Sequence, residues 1–119
     1  AYRIQERAGK VGFDWPKGDP THVLAKVDEE LSELKENINS NAGKEYIEEE
    51  LGDFLFAVAN LSRHLKADPE ITLHKACVKF TERFRFVEKE VQQSGKAWAD
   101  FRLDELDGFW EKAKKLQTK

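Results

Sequence analysis

The sequence has one cysteine, Cys77, and no methionine among its 119 residues. A single cysteine cannot form an internal disulfide bond, which excludes the class of small secreted domains held together by disulfides. No run of about 18 apolar residues is present, and the first residues lack the apolar core of a signal peptide. These absences predict a cytoplasmic protein with no membrane partner. The lack of methionine favours a domain taken from a longer chain over the loss of an initiator methionine.

The composition also lacks an excess of positive charge, since the formal net charge is -3. This charge balance argues against a protein that binds nucleic acid polymers in general. Hydrophobic residues make up 39% and charged residues 36%, with only three prolines and seven glycines. Such a composition is typical of a soluble, mostly helical protein. The length predicts one domain over residues 1–119.

Apolar residues recur at helical spacing along most of the chain, and no strand pattern competes with them. In the second predicted helix they form a stripe that is expected to face the core: Leu24, Val27, Leu31, Leu34 and Ile38. Asp19-Pro20 and Asp68-Pro69 each predict an N-cap followed by proline in the first turn, while Gly95 predicts a helix end. We therefore predict an all-α fold. Its predicted helices span residues 1–9, 20–39, 44–65, 69–93 and 104–117.

The predicted helices are long for a chain of this size, and one of them is apolar almost all round. Helices of 22 to 25 residues would measure roughly 33 to 38 Å, whereas a compact monomer of this length has a radius of gyration near 13 to 14 Å. Residues 51–61 carry apolar side chains on several sides, which must be covered. The sequence thus predicts a long-helix bundle completed by homodimerisation.

Two acidic hexapeptides share one pattern, EELSEL at 29–34 and EELGDF at 49–54. Helical geometry sets Glu30 and Glu33 along one edge of their helix, and Glu50 and Asp53 along the matching edge of the next. If the helices pack antiparallel, the four acids converge. Two carboxylates about 5 Å apart repel by roughly 3 kcal/mol at an effective dielectric near 20, so a cation is expected between them.

The alternative interpretation is that the acids are solvated surface residues, which accounts well for Glu48 and Glu49. It accounts poorly for Asp53, because Asp is a poor helix former and apolar residues flank it here. Oxygen ligands favour Mg²⁺, with Mn²⁺ as a possible substitute. Neither acidic pair has the histidine that a di-iron bundle requires, and the histidines are interpreted as surface or boundary residues: His22, His64 and His74. Magnesium held by carboxylates usually completes its shell with water and phosphate oxygens, which points to nucleotide chemistry.

Further candidates for substrate binding lie outside the acidic motifs. Lys79 and Arg83 fall one turn apart on one helix flank, where they could hold phosphate or form surface ion pairs. Asn60 could hold a ribose hydroxyl or a metal-bound water, or make a buried polar contact. Each tryptophan could stack on a base or anchor a core or interface: Trp15, Trp98 and Trp110.

On these motifs the sequence resembles the MazG family of all-α nucleoside triphosphate pyrophosphohydrolases. The family signature is Glu-Glu-x-x-Glu followed on the next helix by Glu-x-x-Asp, found here at 29–33 and 50–53. Three further segments look like the C-terminal domain of two-domain members: GFDWP at 12–16, KVDEELSEL at 26–34 and KFTERFRFVE at 79–88.

The resemblance implies Mg²⁺-dependent cleavage of nucleoside triphosphates to nucleoside monophosphate and pyrophosphate. It implies metal ligands at Glu30, Glu33, Glu50 and Asp53. It also implies triphosphate contacts from Lys79 and Arg83, and a nucleotide contact from Trp110. We further hypothesise that Glu33 accepts the proton of the attacking water. The alternatives are a narrow substrate, as in all-α dUTPases or phosphoribosyl-ATP pyrophosphohydrolases, and a catalytically silent helical dimerisation module.

Overall fold

The computed structural model describes residues 1–16 and 19–117, and every regular element in them is helical. The elements are α1 (Tyr2–Lys10), α2 (Thr21–Asn39), α3 (Lys44–His64), α4 (Pro69–Ser94), a 3-10 turn (Trp98–Asp100) and α5 (Leu103–Gln117). The predicted all-α fold is therefore confirmed. Within the same residues, no helix combines the length and the apolar character needed to cross a bilayer.

Local capping signals explain where the long helices begin and end. The Asp68 Oδ1 atom accepts hydrogen bonds from the backbone N–H groups of Glu70 and Ile71, as an N-cap does. Asp19 Oδ1 accepts the N–H of Thr21, but the cap position is Pro20, so α2 begins one residue later than predicted. Gly95 follows α4 with a φ of 74°, a conformation that glycine adopts without strain.

Residues Ala1–Thr72 form one compact unit, built on the pairing of α2 with α3. The connection between the two helices is only four residues long, and Asn41 turns the chain with a φ of 55°. A connection this short makes the helices antiparallel neighbours. Lys26, early in α2, and Asn60, late in α3, accordingly line the same cavity. Helix α1 also packs against α3.

The buried side of α2 differs in part from the predicted stripe. Val23 is the most buried residue of α2, at 1% exposure, and Leu34 is also buried. Leu24 and Ile38, both predicted to face the core, are about half exposed, at 46% and 51%. The reason is that α2 packs mainly against a single helix, α3, which covers only one edge of the apolar stripe.

Residues Leu73–Lys119 form the second compact unit, so the division between the units falls within α4. Inside this unit, Phe80 of α4 lies against Trp110 of α5 with ring centroids 5.1 Å apart. Phe84 stacks on Trp98 at 5.8 Å. These aromatic contacts join the part of α4 that belongs to the second unit to α5 and to the 3-10 turn.

Candidate active site

Three carboxylates from α2 and α3 meet on the first unit. One oxygen each from Glu30, Glu50 and Asp53 lies within 4.8 Å of the other two. Glu50 and Asp53 share a face because residues three apart are neighbours on a helix. The antiparallel pairing of the helices then sets that face beside Glu30. The structure thus brings together three of the four acids singled out in the sequence.

The fourth acid, Glu33, lies at the border of this cluster, beside Glu50. Burial raises the pKa of Glu50, and Glu33 raises it further through charge repulsion and a side-chain hydrogen bond. The negative charges of Asp53 and Glu30 act in the same direction. A hydrogen bond between two carboxyl groups requires a proton on one of them. Burial and the neighbouring negative charges therefore hold the pKa of the Glu50 carboxyl above its usual range.

Two carboxylate oxygens in the cluster have no donor. Glu30 Oε2 and Glu50 Oε2 are buried and make no hydrogen bond among the described residues. The other oxygen of Glu30 lies 3.1 Å from Lys26 Nζ, which also contacts Glu29 at 3.4 Å. Hydrogen bonds to Glu30 and then Glu29 raise the pKa of Lys26. Because unpaired buried oxygens cost free energy, the cluster would be stabilised by a further cation.

Asp53 differs from the expectation drawn from its apolar flanking sequence. Its side chain is exposed, whereas Glu30 is the buried member of the cluster, at 7% exposure. The physical reason is that flanking residues such as Leu51 and Phe56 are themselves 43% and 45% exposed. Asp53 is therefore the acid that an entering ligand can reach directly.

A cavity of about 330 Å³ opens beside the acids. Two of the cluster acids, Glu30 and Asp53, line it together with Lys26. Trp15 and Asn60, both predicted to bind substrate, also line it. Carboxylates, an ammonium group, an aromatic ring and an amide therefore line one open cavity.

A buried polar network behind Asn60 was not foreseen from the sequence. The Arg63 Nη2 atom lies 2.7 Å from Asp14 Oδ2, and His64 Nε2 lies 2.9 Å from Asp14 Oδ1. Arg63 also donates two hydrogen bonds to Asn60 Oδ1, at 2.9 and 3.2 Å. Burial alone would raise the pKa of Asp14, but hydrogen bonds from Arg63, His64 and the Trp15 backbone lower it overall. The available signal was the spacing of Asn60, Arg63 and His64, which sets all three on one helix face.

The remaining predicted substrate contacts lie in the second unit. The Arg83 guanidinium carbon lies 5.7 Å from the ring centroid of Trp110, within cation–π range. Arg83 also donates a hydrogen bond to the side chain of Gln117. Lys79 is exposed, and its backbone oxygen accepts a 3.4 Å hydrogen bond from Gln117. Arg83, Trp110 and Lys79 are therefore neighbours in their own unit.

Comparisons with known proteins agree with the resemblance drawn from the acidic motifs. Residues 19–92 match the family model of the MazG nucleotide pyrophosphohydrolase domain. The chain is 47% identical over 114 residues to the nucleoside triphosphate pyrophosphohydrolase/pyrophosphatase MazG of Thermotoga maritima, covering 96% of this chain and 42% of that protein. It is 40% identical over 119 residues to the nucleoside triphosphate pyrophosphohydrolase of Escherichia coli K12, covering 98% and 44%. The chain thus spans less than half the length of these relatives.

Proposed function

Because this chain belongs to the MazG nucleotide pyrophosphohydrolase domain family, we propose that it hydrolyses nucleoside triphosphates with a bound divalent metal ion. A water oxygen bonds to phosphorus, the bridge between the α- and β-phosphates breaks, and nucleoside monophosphate and pyrophosphate leave. The observation that carries the proposal is the meeting of Glu30, Glu50 and Asp53 beside a cavity, with two buried oxygens that have no donor.

The donor set fits magnesium, with manganese as a possible substitute. All the candidate ligand atoms are carboxylate oxygens, which hard divalent cations prefer. Glu30, Glu50 and Asp53 would hold the ion, and Glu33 would join them from the border of the cluster. When bound, the ion supplies positive charge that polarises phosphate oxygens and lowers the pKa of water. It would also give the unpaired oxygens of Glu30 and Glu50 a partner.

The chain's own residues supply the remaining functions. Lys26 lines the cavity and places its ammonium group where phosphate oxygens would enter. Glu33 lies at the border of the three-oxygen group, so it is the acid that we propose as the proton acceptor for water. In the second unit, Lys79 and Arg83 are proposed to contact the triphosphate, and Trp110 to contact the nucleotide.

Homodimerisation is proposed as part of the working enzyme. Leu51 and Leu55 on α3 are 43% and 57% exposed, and they leave an apolar surface that a second copy would cover. The single-domain boundaries 1–119, the cytoplasmic location and the lack of nucleic acid and membrane partners stay predictions. So does the derivation from a longer two-domain chain.

Pyrophosphate release tests the proposal directly. The protein is incubated with a panel of nucleoside triphosphates, including dUTP and phosphoribosyl-ATP, with Mg²⁺ or with a chelator. We expect pyrophosphate and nucleoside monophosphate with Mg²⁺ and neither product with the chelator. A response to dUTP or phosphoribosyl-ATP alone would indicate the narrow-specificity alternative. Release of orthophosphate, or of nothing, would favour the silent dimerisation module.

A further inference from the structure

Lys26 brings a positive charge to the edge of the acid cluster. Its Nζ atom lies 3.1 Å from Glu30 Oε1 and 3.4 Å from Glu29 Oε1. The same residue lines the cavity of about 330 Å³ together with Glu30 and Asp53. A protonated amine cannot bind a metal ion, because it has no free electron pair. Lys26 therefore acts on the cluster only through the acid that it contacts.

The two carboxylate oxygens of Glu30 have different surroundings. The side chain is only 9% exposed, and its Oε1 atom contacts the Lys26 ammonium group. The other atom, Oε2, is buried and has no hydrogen-bond partner among the described residues. Because both oxygens belong to one rigid carboxyl group, a contact that holds Oε1 also fixes the direction of Oε2. Lys26 thus leaves Glu30 with one free oxygen to offer to an ion.

The contact between Lys26 and Glu30 is poorly suited to stabilising α2. A lysine four residues before a glutamate is the less favourable order of such a pair on a helix. The Lys26 side chain is also 41% exposed, and water screens ion pairs with an exposed member. Its second partner, Glu29, is 56% exposed. Orientation of the buried Glu30 carboxylate therefore explains the contact better than helix stability does.

The number of oxygens that a carboxylate offers affects which ion it prefers. Mg²⁺ requires a nearly ideal octahedral shell with ligand atoms at about 2.0 to 2.1 Å. Ca²⁺ takes about six to eight oxygens at about 2.3 to 2.6 Å, and it accepts both oxygens of one carboxylate. A carboxylate whose other oxygen is held by an ammonium group offers a single oxygen, which suits Mg²⁺. Without Lys26, Glu30 could offer both oxygens, which suits Ca²⁺.

We propose that Lys26 is a positioning residue that favours Mg²⁺ over Ca²⁺, because it keeps Glu30 Oε1 engaged and leaves only Oε2 to bind the ion. The proposal rests on the proposed function, since it takes the clustered acids as metal ligands. It is compatible with a phosphate contact from the same residue. An ammonium group has three N–H donors, and the contacts with Glu29 and Glu30 use two of them.

Calorimetry on the metal-free protein, with Mg²⁺ and Ca²⁺ titrated separately and no nucleotide present, tests this role. In Lys26→Met, the affinity for Ca²⁺ relative to that for Mg²⁺ should rise about tenfold, a size typical for loss of a group that orients a metal ligand. Loss of the positive charge alone would strengthen the binding of both ions equally, because they carry the same charge. The ratio therefore separates orientation from charge. Lys35→Met, at an exposed position of the same helix, is the matched control and should leave the ratio unchanged.

Two further variants sharpen the test. Lys26→Arg keeps a cationic donor beside Glu30, so its ratio should stay within about twofold of the wild-type ratio. Lys26→Gln covers the event that Lys26→Met fails to fold, because glutamine is a good helix former without charge. It should also raise the ratio several-fold. An unchanged ratio in the neutral variants, or an equal rise in Lys26→Arg, would overturn the role of Lys26.

The failure of this proposal is distinguishable from failure of the proposed function. If the wild type binds Mg²⁺ but the neutral variants keep its ratio, the role of Lys26 is rejected and the proposed function stands. If the ratio changes as expected but no nucleoside triphosphate yields pyrophosphate, the role of Lys26 stands and the proposed function is rejected. A wild-type protein that binds neither ion would contradict both.

Discussion

Asp53 and Glu30 show how two acids in similar sequence motifs acquire different environments. Glu30 is buried and contacts Lys26 through one oxygen, at 3.1 Å. Asp53 is exposed and lines the cavity. In the proposed function, Glu30 and Asp53 would both hold the ion. Removing the charge of Asp53 should therefore affect function more than folding.

We expect Asp53→Asn to lower pyrophosphate release by more than about a hundredfold. The metal-free variant should be as stable as the wild type or more so, because one of several repelling carboxylates is gone. Product analysis and thermal unfolding in chelator measure the two effects. Glu48→Gln is the control, since Glu48 is exposed and pairs with Lys44, at 3.6 Å. A destabilised Asp53→Asn protein with full activity would assign this residue to structure.

Asp14 has the opposite character, because positive partners surround it. Asp14→Asn should destabilise the protein by about 2 kcal/mol at pH 7, since it weakens buried charge-assisted hydrogen bonds to Arg63 and His64. The folded-state pKa of Asp14 lies below its usual 3.8, so this stabilisation is present above pH 3.8 and is lost as the pH falls toward the folded value.

Urea unfolding of the wild type and of Asp14→Asn at a series of pH values checks this sign. The difference in the free energy of unfolding should be constant near neutral pH and should shrink below about pH 4. Asp28→Asn serves as a control on an exposed aspartate. A difference that grows as the pH falls would contradict the ion-pair assignment.

The helices α2 and α3 explain why two sequence motifs become one site. The motifs are twenty residues apart, and the short antiparallel connection brings them face to face. Helix α4 begins at an independent local signal, where Asp68 accepts two backbone N–H groups. Local caps therefore determine where helices begin and end. The register of α2 against α3 determines which acidic side chains meet.

Loss of the α4 cap has a defined expected cost. Asp68→Ala should lower the free energy of unfolding by about 1 kcal/mol, because two backbone N–H groups lose their acceptor. Asp68→Ser retains a capping oxygen and should recover most of the loss. Chemical denaturation of the three proteins measures the effect. Equal losses for alanine and serine would show that the cap does not contribute.

For the whole molecule, we expect a homodimer because apolar side chains of the first unit remain exposed. Leu55 is 57% exposed and does not line the cavity beside the acids. Leu51 and Phe56 of the same helix, α3, are also exposed, at 43% and 45%. Exposed apolar side chains grouped on one helix indicate an interaction surface better than scattered ones do.

Leu55→Glu should convert a wild-type dimer into a monomer, because a carboxylate would be desolvated in the interface. Sedimentation equilibrium over a range of concentrations measures the change in mass. Glu49→Gln, an exposed site on the same helix, should remain dimeric. A wild-type protein that sediments as a monomer at every concentration would contradict the proposed homodimer.

The sequence by itself determined the helical class, most helix ends and the acidic motifs, because periodicity, caps and spacing act over a few residues. Tertiary structure decided which side of each stripe is buried. It also decided that Glu33 borders the acid cluster, and that Asp14 joins Arg63 and His64 across fifty residues of chain. Such contacts depend on how the turn after α2 and the loop after α1 direct the backbone in space. A local pattern cannot encode that direction, because it arises only when whole helices pack.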